Sequence, residues 1–375
     1  MKCLVVMDSF KGSVSSVQAG EAVKSGIEAI NKSINVEVVP FADGGEGTLE
    51  AILGDNPRVT CSITFPDGRE GISEYGIRSD GTAVIESAKA VGLNLIALDK
   101  HDPFVLSSYG LGQLVLDAYS RGVRKFIVSL GGSGTNDGGV GMLSALGVKF
   151  YDEMGKVVST LDELRGLASI EIPDDVSMML NSCEFTAASD VTNPLCGQQG
   201  ASRVFGPQKG LIESRIQEAD EILHGYALLA DLINGTNCVD AAGAGAAGGL
   251  GFALLSFMKA KLVSGAQAVI SANDIENKIK NADLVITGEG KVDQQTLMGK
   301  GIGIIKDLAS KYNKQLLILC GKLEDADWLA DNGIKAVSVD PGGMPLEELM
   351  KIDVAKTNLT SAAYREIKLI YDSTR

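Results

Sequence analysis

Histidine is nearly absent: His101 and His224 are the only two in 375 residues. His224 falls inside a helical pattern beside Leu223, the setting of a structural residue. A histidine-built triad or zinc centre therefore lacks its material. The six cysteines, Cys3, Cys61, Cys183, Cys196, Cys238 and Cys320, are scattered, and no two form a Cys-x-x-Cys pair. Thiolate zinc sites and thioredoxin-type redox chemistry are left without support. The chain also lacks any Lys/Arg-rich block, and its net charge is −14. A nucleic-acid partner needs a basic face, so none is expected. Proline is scarce at 9 and the glycines follow no Gly-X-Y period, which excludes a collagen-like chain.

Long apolar runs are missing too. The start, Met1-Lys2-Cys3-Leu4-Val5-Val6-Met7-Asp8, meets an acid too soon for a secretory h-region and reads as a strand. The longest charge-free stretch considered, Ala241–Met258, has five glycines and six alanines in 18 residues. It reads as a glycine loop entering a buried helix, short of a membrane span. The expectation is a cytoplasmic protein without a membrane partner. Named catalytic motifs fail one by one. Every Gly-Lys pair is followed by Val, Gly or Leu, so there is no Walker P-loop. Gly131-Gly132-Ser133-Gly134-Thr135 has threonine where a serine-hydrolase elbow needs glycine.

What the chain has in excess is glycine: 45 of 375 residues, against about 7 % in average proteins. The glycines cluster, and glycine lets backbone turn with φ > 0 and approach a ligand closely. Short β-branched runs alternate with helical patterns. Expected strands are Cys3–Met7, Val36–Pro40, Val59–Phe65, Ala83–Glu86, Phe126–Leu130, Glu184–Ala188, Leu284–Thr287, Gln315–Leu319 and Ala336–Val339. Expected helices include Ser16–Asn31, Pro103–Ser120, Ile216–Ile233, Ile302–Tyr312 and Ala355–Tyr371. Such alternation argues for an α/β fold with parallel sheet. The chain ends, 1–58 plus 275–375, together supply about five strands, enough for one doubly wound sheet. The middle, 59–274, opens on the hairpin-like Phe65-Pro66-Asp67-Gly68-Arg69 and reads as an inserted second α/β domain.

Five polar, glycine-bearing loops follow expected strands, where open α/β sheets bind ligands. Asp8-Ser9-Phe10-Lys11-Gly12-Ser13 precedes a capping-box pattern, Ser15-x-x-Gln18, and sets Lys11 where an anion would rest; a plain surface turn is the alternative. In Ala42-Asp43-Gly44-Gly45-Glu46-Gly47-Thr48 the acids can cap a helix, but the glycines exceed what a cap needs. Gly131–Gly139 resembles an anion nest, with Asn136 and Asp137 able to hold a substrate or water on magnesium; a tight strand-to-helix turn is the alternative. Asp190 and Asn193, in the loop running on to Pro207-Gln208-Lys209-Gly210, fit an Asx-turn or a site equally well. Thr287–Thr296, followed by Gly299-Lys300-Gly301, sets Glu289, Lys291 and Asp293 at one strand end, as a site or as a surface ion-pair patch. Gly243-x-Gly245-x-x-Gly248 matches a dinucleotide fingerprint but follows a poor strand, so close packing is its simpler role.

The toolkit left is Asp, Glu, Lys, Ser, Thr, Asn and glycine N–H. It suits phosphoryl transfer, which asks for positioning, charge neutralisation with Mg²⁺, and a carboxylate at the acceptor hydroxyl. Taken together and in order, the loops resemble the type 1 glycerate kinases of bacteria. The matching stretches are Asp8–Ser13, Ala42–Thr48, Gly131–Gly139, Asp190–Leu195, Phe205–Gly210, Gly243–Gly249 and Thr287–Thr296. The chain departs from the family's usual residues at Gly134 (alanine), Lys291 (arginine) and Ile302 (proline). The resemblance implies an ATP-dependent kinase acting on D-glycerate, with 2-phosphoglycerate the usual product and 3-phosphoglycerate the variant. It also implies a flavodoxin-like domain from both chain ends, a second α/β domain inserted, and an active site in the cleft between them. The expected roles are then catalysis by Asp190, Asp43 and Lys11. Substrate would be bound by Ser9, Lys11, Gly44, Gly45, Glu46, Asn193 and Lys209. ATP would be held by Gly132, Ser133, Thr135, Asn136, Gly243, Gly245 and Lys300, and Mg²⁺ by Asp137, Glu289 and Asp293. The enzyme is expected as a monomer or homodimer. Two other classes stand beside this reading: an NAD-dependent oxidoreductase using Gly243–Gly248, and a non-catalytic phosphometabolite-binding protein.

Overall fold

The computed structural model describes residues 1–42, 47–54, 56–294, 296 and 301–373. Its strands are β1 (Lys2–Met7), β2 (Asn35–Pro40), β3 (Arg58–Thr64), β4 (Glu70–Ile77), β5 (Thr82–Glu86), β6 (Lys125–Ser129), β7 (Lys149–Asp152), β8 (Leu167–Glu171), β9 (Glu184–Ala188), β10 (Lys261–Val263), β11 (Leu284–Val292), β12 (Gln315–Leu323) and β13 (Ala336–Ser338). The chain divides into two compact units, one from Met1–Gly54 with Ala266–Arg375, the other from Asp55–Gly265.

The first unit is built on a five-stranded sheet of order β13-β12-β11-β1-β2, parallel throughout. A parallel strand covered on both faces reads as an unbroken apolar run. Cys3-Leu4-Val5-Val6-Met7 is such a run, and each of the five is fully buried. The helix Ser16–Glu28 returns the chain from β1 to β2. Its start is the capping box expected from the sequence: Gln18 N–H donates to Ser15 Oγ (3.3 Å) and Ser15 N–H to Gln18 Oε1 (3.1 Å). Numbered within this unit, the strand order is 2-1-3-4-5, that of a flavodoxin-like sheet, and it reverses between β1 and β11. The loops after β1 and β11 leave the sheet at that switch point.

The second unit carries a six-stranded sheet, β10-β9-β6-β5-β4-β3. Its first four strands are parallel; β4 and β3 are antiparallel at one edge. β3 and β4 are joined by the expected turn, with Gly68 at φ +83° and Phe65 N–H donating to the Arg69 carbonyl (2.8 Å). β7 and β8 form a separate two-stranded ribbon. The charge-free stretch ends in the seven-residue helix Leu250–Ser256, whose Leu250, Phe252, Ala253 and Leu254 are fully buried in the core of this unit. No described helix is long and apolar enough to cross a membrane.

Gly26 marks where Ser16–Glu28 crosses the helix Ile352–Ser373. A Cβ there would collide with the Thr360 carbonyl and lie 3.0 Å from Ala363 Cβ. Helix propensity favours Gly26→Ala by about 1 kcal/mol, whereas overpacking costs about 1–3 kcal/mol. The steric term should win. Urea unfolding is expected to give a lower midpoint at unchanged slope, and a raised midpoint would contradict this packing.

Candidate functional site

In the second unit, β6 delivers the chain at Leu130 to the Gly131–Gly139 loop, at the carboxyl end of parallel strands. The helix Ser87–Val91 after β5, and the turn that follows it, grip its first half. Gly134 N–H donates to Val91 O (2.7 Å), Leu93 N–H to Gly132 O (3.0 Å) and Ser87 Oγ to Gly131 O (3.3 Å). Its second half is organised by Asp137, which is fully buried. Asp137 Oδ2 accepts from Ser108 N–H (2.7 Å), Ser108 Oγ–H (2.7 Å) and Gly141 N–H (3.2 Å), and Oδ1 accepts from Gly139 N–H (3.0 Å). One carboxylate thus ties the entry of the helix Tyr109–Ser120 to the start of the helix Val140–Ala145. Burial pushes the Asp137 carboxyl above its ordinary value, against the pull of these donors.

Lys209 closes the loop from behind. It is 2 % exposed, and its Nζ donates to Ser133 Oγ (3.0 Å) and to the Thr135 carbonyl (2.7 Å). Burial lowers its ammonium to about 7, while the charge of Asp137 works in the opposite direction. Asn136 Nδ2 donates to Ser202 Oγ (2.9 Å), and Tyr226 OH to the Gly138 carbonyl (3.3 Å). Two polar atoms in the loop have no hydrogen-bond partner among the described residues: Thr135 Oγ1 and Asn136 Oδ1.

Exposure sorts the residues expected to cradle phosphate. Gly132, at φ +70°, is exposed, and Ser133 is 6 % exposed. Thr135 and Asn136 are fully buried, so in this conformation they face the interior. Lys209, expected to touch substrate, instead bonds to the loop. Asp137, expected on a metal, has both oxygens taken by four donors. These differences share one cause: the loop folds by burying its polar side chains against each other, which a sequence pattern of polar residues does not distinguish from ligand contacts.

Gly243 and Gly245 are also buried. A Cβ at Gly243 would strike Leu262, at Gly245 the Pro194 carbonyl, and at Gly248 the Thr135 carbonyl. The segment follows the helix Glu213–Asn234 and a turn, with no strand before it. It acts as a spacer packing the loops after β6 and β9 together, and Gly245 N–H donates to the Asn193 carbonyl (2.9 Å). The strand–loop–helix setting of a dinucleotide site is absent here. At the end of β9, Asp190 is exposed, and its Oδ1 accepts from Gly265 N–H (3.3 Å). Half-buried Asn193 donates from Nδ2 to the Gln199 carbonyl (2.8 Å).

In the first unit, Asp8 N–H donates to Gly288 O (2.9 Å), tying the start of the loop after β1 to strand β11. Ser9 N–H donates to Asp8 Oδ1 (2.6 Å), Gly12 turns at φ +77°, and Lys11 is exposed. β11 runs five residues past Thr287, so Glu289 and Lys291 lie on the strand, opposite Cys320 and Lys322. Asp293 accepts from Thr296 N–H (2.9 Å) and Thr296 Oγ1 (2.9 Å), which, with Lys291, hold its carboxyl below the ordinary range. Lys291 bridges Asp293 (3.2 Å) and Glu324 (2.8 Å), the ion-pair alternative expected for this patch. Asp43, Gly44, Gly45, Glu46 and Lys300 lie outside the described residues. Among the described residues no group of three or more His, Cys, Asp or Glu could by itself hold a metal ion. Sequence reading missed Ser108 and Ser202. Ser108 falls inside the helix expected over Pro103–Ser120, whereas the helix begins at Tyr109, so its place at the helix entry was hidden; Ser202 carries no signal.

Residues 3–371 match the model of the glycerate kinase family. A glycerate kinase of Haemophilus influenzae is 39 % identical over 343 residues, covering 90 % of each chain. A protein of Escherichia coli named glycerate 2-kinase is 40 % identical over 346 residues, again 90 % of each. A crystal structure from Salmonella typhimurium LT2, described provisionally as glycerate kinase 2, superposes with a TM-score of 0.89 at 36 % identity, over 100 % of this chain and 99 % of that one.

Two outcomes follow from the buried pair. Asp137→Asn leaves donors facing an amide and should cost about 3 kcal/mol of stability, read as a lower urea midpoint. For Lys209 the folded value of about 7 lies below the ordinary 10.5. The unfolded chain therefore binds more protons between those values, and this lysine's contribution to stability rises with pH across that window. Comparing wild type with Lys209→Met, which share Asp137 and Tyr226, the difference in unfolding free energy should move in favour of wild type from pH 6 to pH 9. A gap that is flat or shrinks would contradict the lowered value.

Proposed function

The chain belongs to the glycerate kinase family, ATP-dependent phosphotransferases with an alcohol group as acceptor, and from that premise we propose that it phosphorylates the 2-hydroxyl of D-glycerate to give 2-phosphoglycerate. The name of the Escherichia coli relative, glycerate 2-kinase, supports this choice of hydroxyl. The observation that carries the site assignment is the Gly131–Gly139 loop. It is held by hydrogen bonds from several elements at the carboxyl end of β6, exposes Gly132, and sets Ser133 beside it. Glycine backbone and hydroxyls in that setting suit a nucleotide phosphate.

The roles divide as follows. Gly132 and Ser133 receive phosphate at the mouth of the loop. Lys11 and Ser9, with the Gly44–Glu46 backbone, hold an anionic group of the substrate. Asp190, exposed at the end of β9, takes the proton of the glycerate hydroxyl, and Asn193 borders it; Asp43 is the second choice as base. Mg²⁺ fits as an ion carried on ATP, because it keeps waters and needs only one or two carboxylates beside phosphate oxygens. Glu289 and Asp293, oxygen donors at the end of β11, are the residues that would hold it or its waters. The chemistry such an ion would supply there is neutralisation of charge on the phosphoryl group. The enzyme is taken as cytoplasmic, and as a monomer or homodimer.

A coupled ADP-release assay with ATP, Mg²⁺ and D-glycerate tests the activity, and ADP release should require glycerate. Proton-coupled ³¹P NMR then identifies the product: a doublet from the single C2 hydrogen is expected, and a triplet from the C3 methylene would assign the other hydroxyl. Asp190→Asn should lower kcat by about 10²–10⁴-fold with the fold retained; near-wild-type turnover would remove it as base. Lys11→Ala should mainly raise KM for one anionic substrate, and unchanged KM for both would end its role.

A further inference from the structure

We propose that Lys209 is a positioning residue for phosphoryl transfer, which orients the Ser133 hydroxyl toward nucleotide phosphate and touches neither substrate. The proposal rests on the reading of Gly131–Gly139 as the phosphate loop. Its first support is geometric. Lys209 Nζ donates to Ser133 Oγ (3.0 Å) and to the Thr135 carbonyl (2.7 Å), two acceptors at the centre of the loop. A serine oxygen that accepts from an ammonium keeps its own O–H free to donate elsewhere. Ser133 lies at the surface end of this chain of bonds, at 6 % exposure, next to exposed Gly132. The lysine thereby sets the hydroxyl rotor, and an arriving anion meets a donor already aimed outward.

The second support is the rigidity of the lysine's own base. Lys209 ends the short helix Pro207–Lys209, in which Pro207 fixes the first position and Gly210 turns out at φ +96°. Lys209 N–H donates to Gly206 O (2.9 Å) and Leu211 N–H to Gly206 O (3.0 Å). A Cβ at Gly210 would strike the His101 carbonyl. The same segment reaches the loop again through Ser202, which holds Asn136. The third support is energetic. Burying an ammonium costs several kcal/mol, and a well-packed apolar side chain of similar volume is often as stable or more so. A buried lysine here is therefore poorly explained by stability. Its lowered value, about 7, is the mark of that cost.

The test is a double-mutant cycle on the full-length enzyme with Lys209→Met and Ser133→Ala, singly and combined. KM for ATP, KM for D-glycerate, kcat and thermal midpoint are measured for each. Each single variant should lower kcat/KM for ATP by about 10–10²-fold, somewhat less than losing a transition-state donor outright. KM for glycerate should stay within about twofold. The double variant should match the more damaged single one, because Lys209 acts through the hydroxyl that Ser133→Ala removes. A purely structural lysine would lower the midpoint and leave kcat/KM of the folded enzyme unchanged, which overturns the proposal. So does a multiplicative loss in the double variant, or a glycerate KM raised chiefly by Lys209→Met, as a direct substrate contact requires. If Lys209→Met does not fold, Lys209→Gln, which keeps an N–H donor on a shorter stem, enters the same cycle. If Ser133→Ala spares ATP and alters glycerate alone, the phosphate-loop reading itself fails. A Ser133 effect confined to ATP but independent of Lys209 sinks only the present proposal.

Discussion

A carboxylate without access to water organises the Gly131–Gly139 loop of the second unit. Asp137 gathers four donors from two helix entries and the loop itself. A buried charge is tolerable only when its lone pairs are met, so the donors cannot drift without a large penalty. That constraint fixes the start of Val140–Ala145 and the entry to Tyr109–Ser120. By extension it fixes where Gly132 and Ser133 emerge. Met142 N–H, donating to Ser108 Oγ (2.9 Å), extends the same network by one bond.

The strand pattern made most of the fold legible. Cys3–Met7, Val36–Pro40, Leu284–Thr287, Gln315–Leu319 and Ala336–Val339 all appear as strands of one parallel sheet. Buried parallel strands leave continuous apolar runs, which is why they could be read. β10 is three residues long, and β7 and β8 form a small ribbon with mixed exposure. Those elements owe their existence to tertiary pairing and left no periodic trace. β4, Glu70–Ile77, breaks polar–apolar alternation at Ser73-Glu74 and carries two glycines, so it left a weak signal.

The site was legible as a set of loops and much less so as a set of roles. Polar residues in a glycine loop look alike in sequence, whether they face a ligand or each other. Asp137 faces Ser108, Gly139 and Gly141, Lys209 faces Ser133 and Thr135, and Asp293 makes an Asx-like turn with Thr296. Burial separates these cases, and burial is a property of the whole chain. The net charge of −14 poses the same question at larger scale. Lys291, Lys322 and Lys100 are each paired with a carboxylate. On the proposed reading, anion binding would fall to backbone amides and a few placed lysines, whose influence is local.

Gly248 and Gly249 lie directly against the backbone of Thr135, Asn136 and Gly138, with no side chain between, and Gly138 N–H donates to Gly248 O (3.0 Å). Glycine forfeits more conformational freedom on folding than any other residue, and fixing backbone costs roughly 1–2 kcal/mol of entropy per residue. In a loose glycine loop that loss would fall at the moment of ligand binding and weaken affinity. Here main chain packed on main chain incurs it when the chain folds. A ligand bound at Gly132 and Ser133, as proposed, would meet a loop already ordered, and its binding free energy would not be diminished by the ordering of the residues behind them.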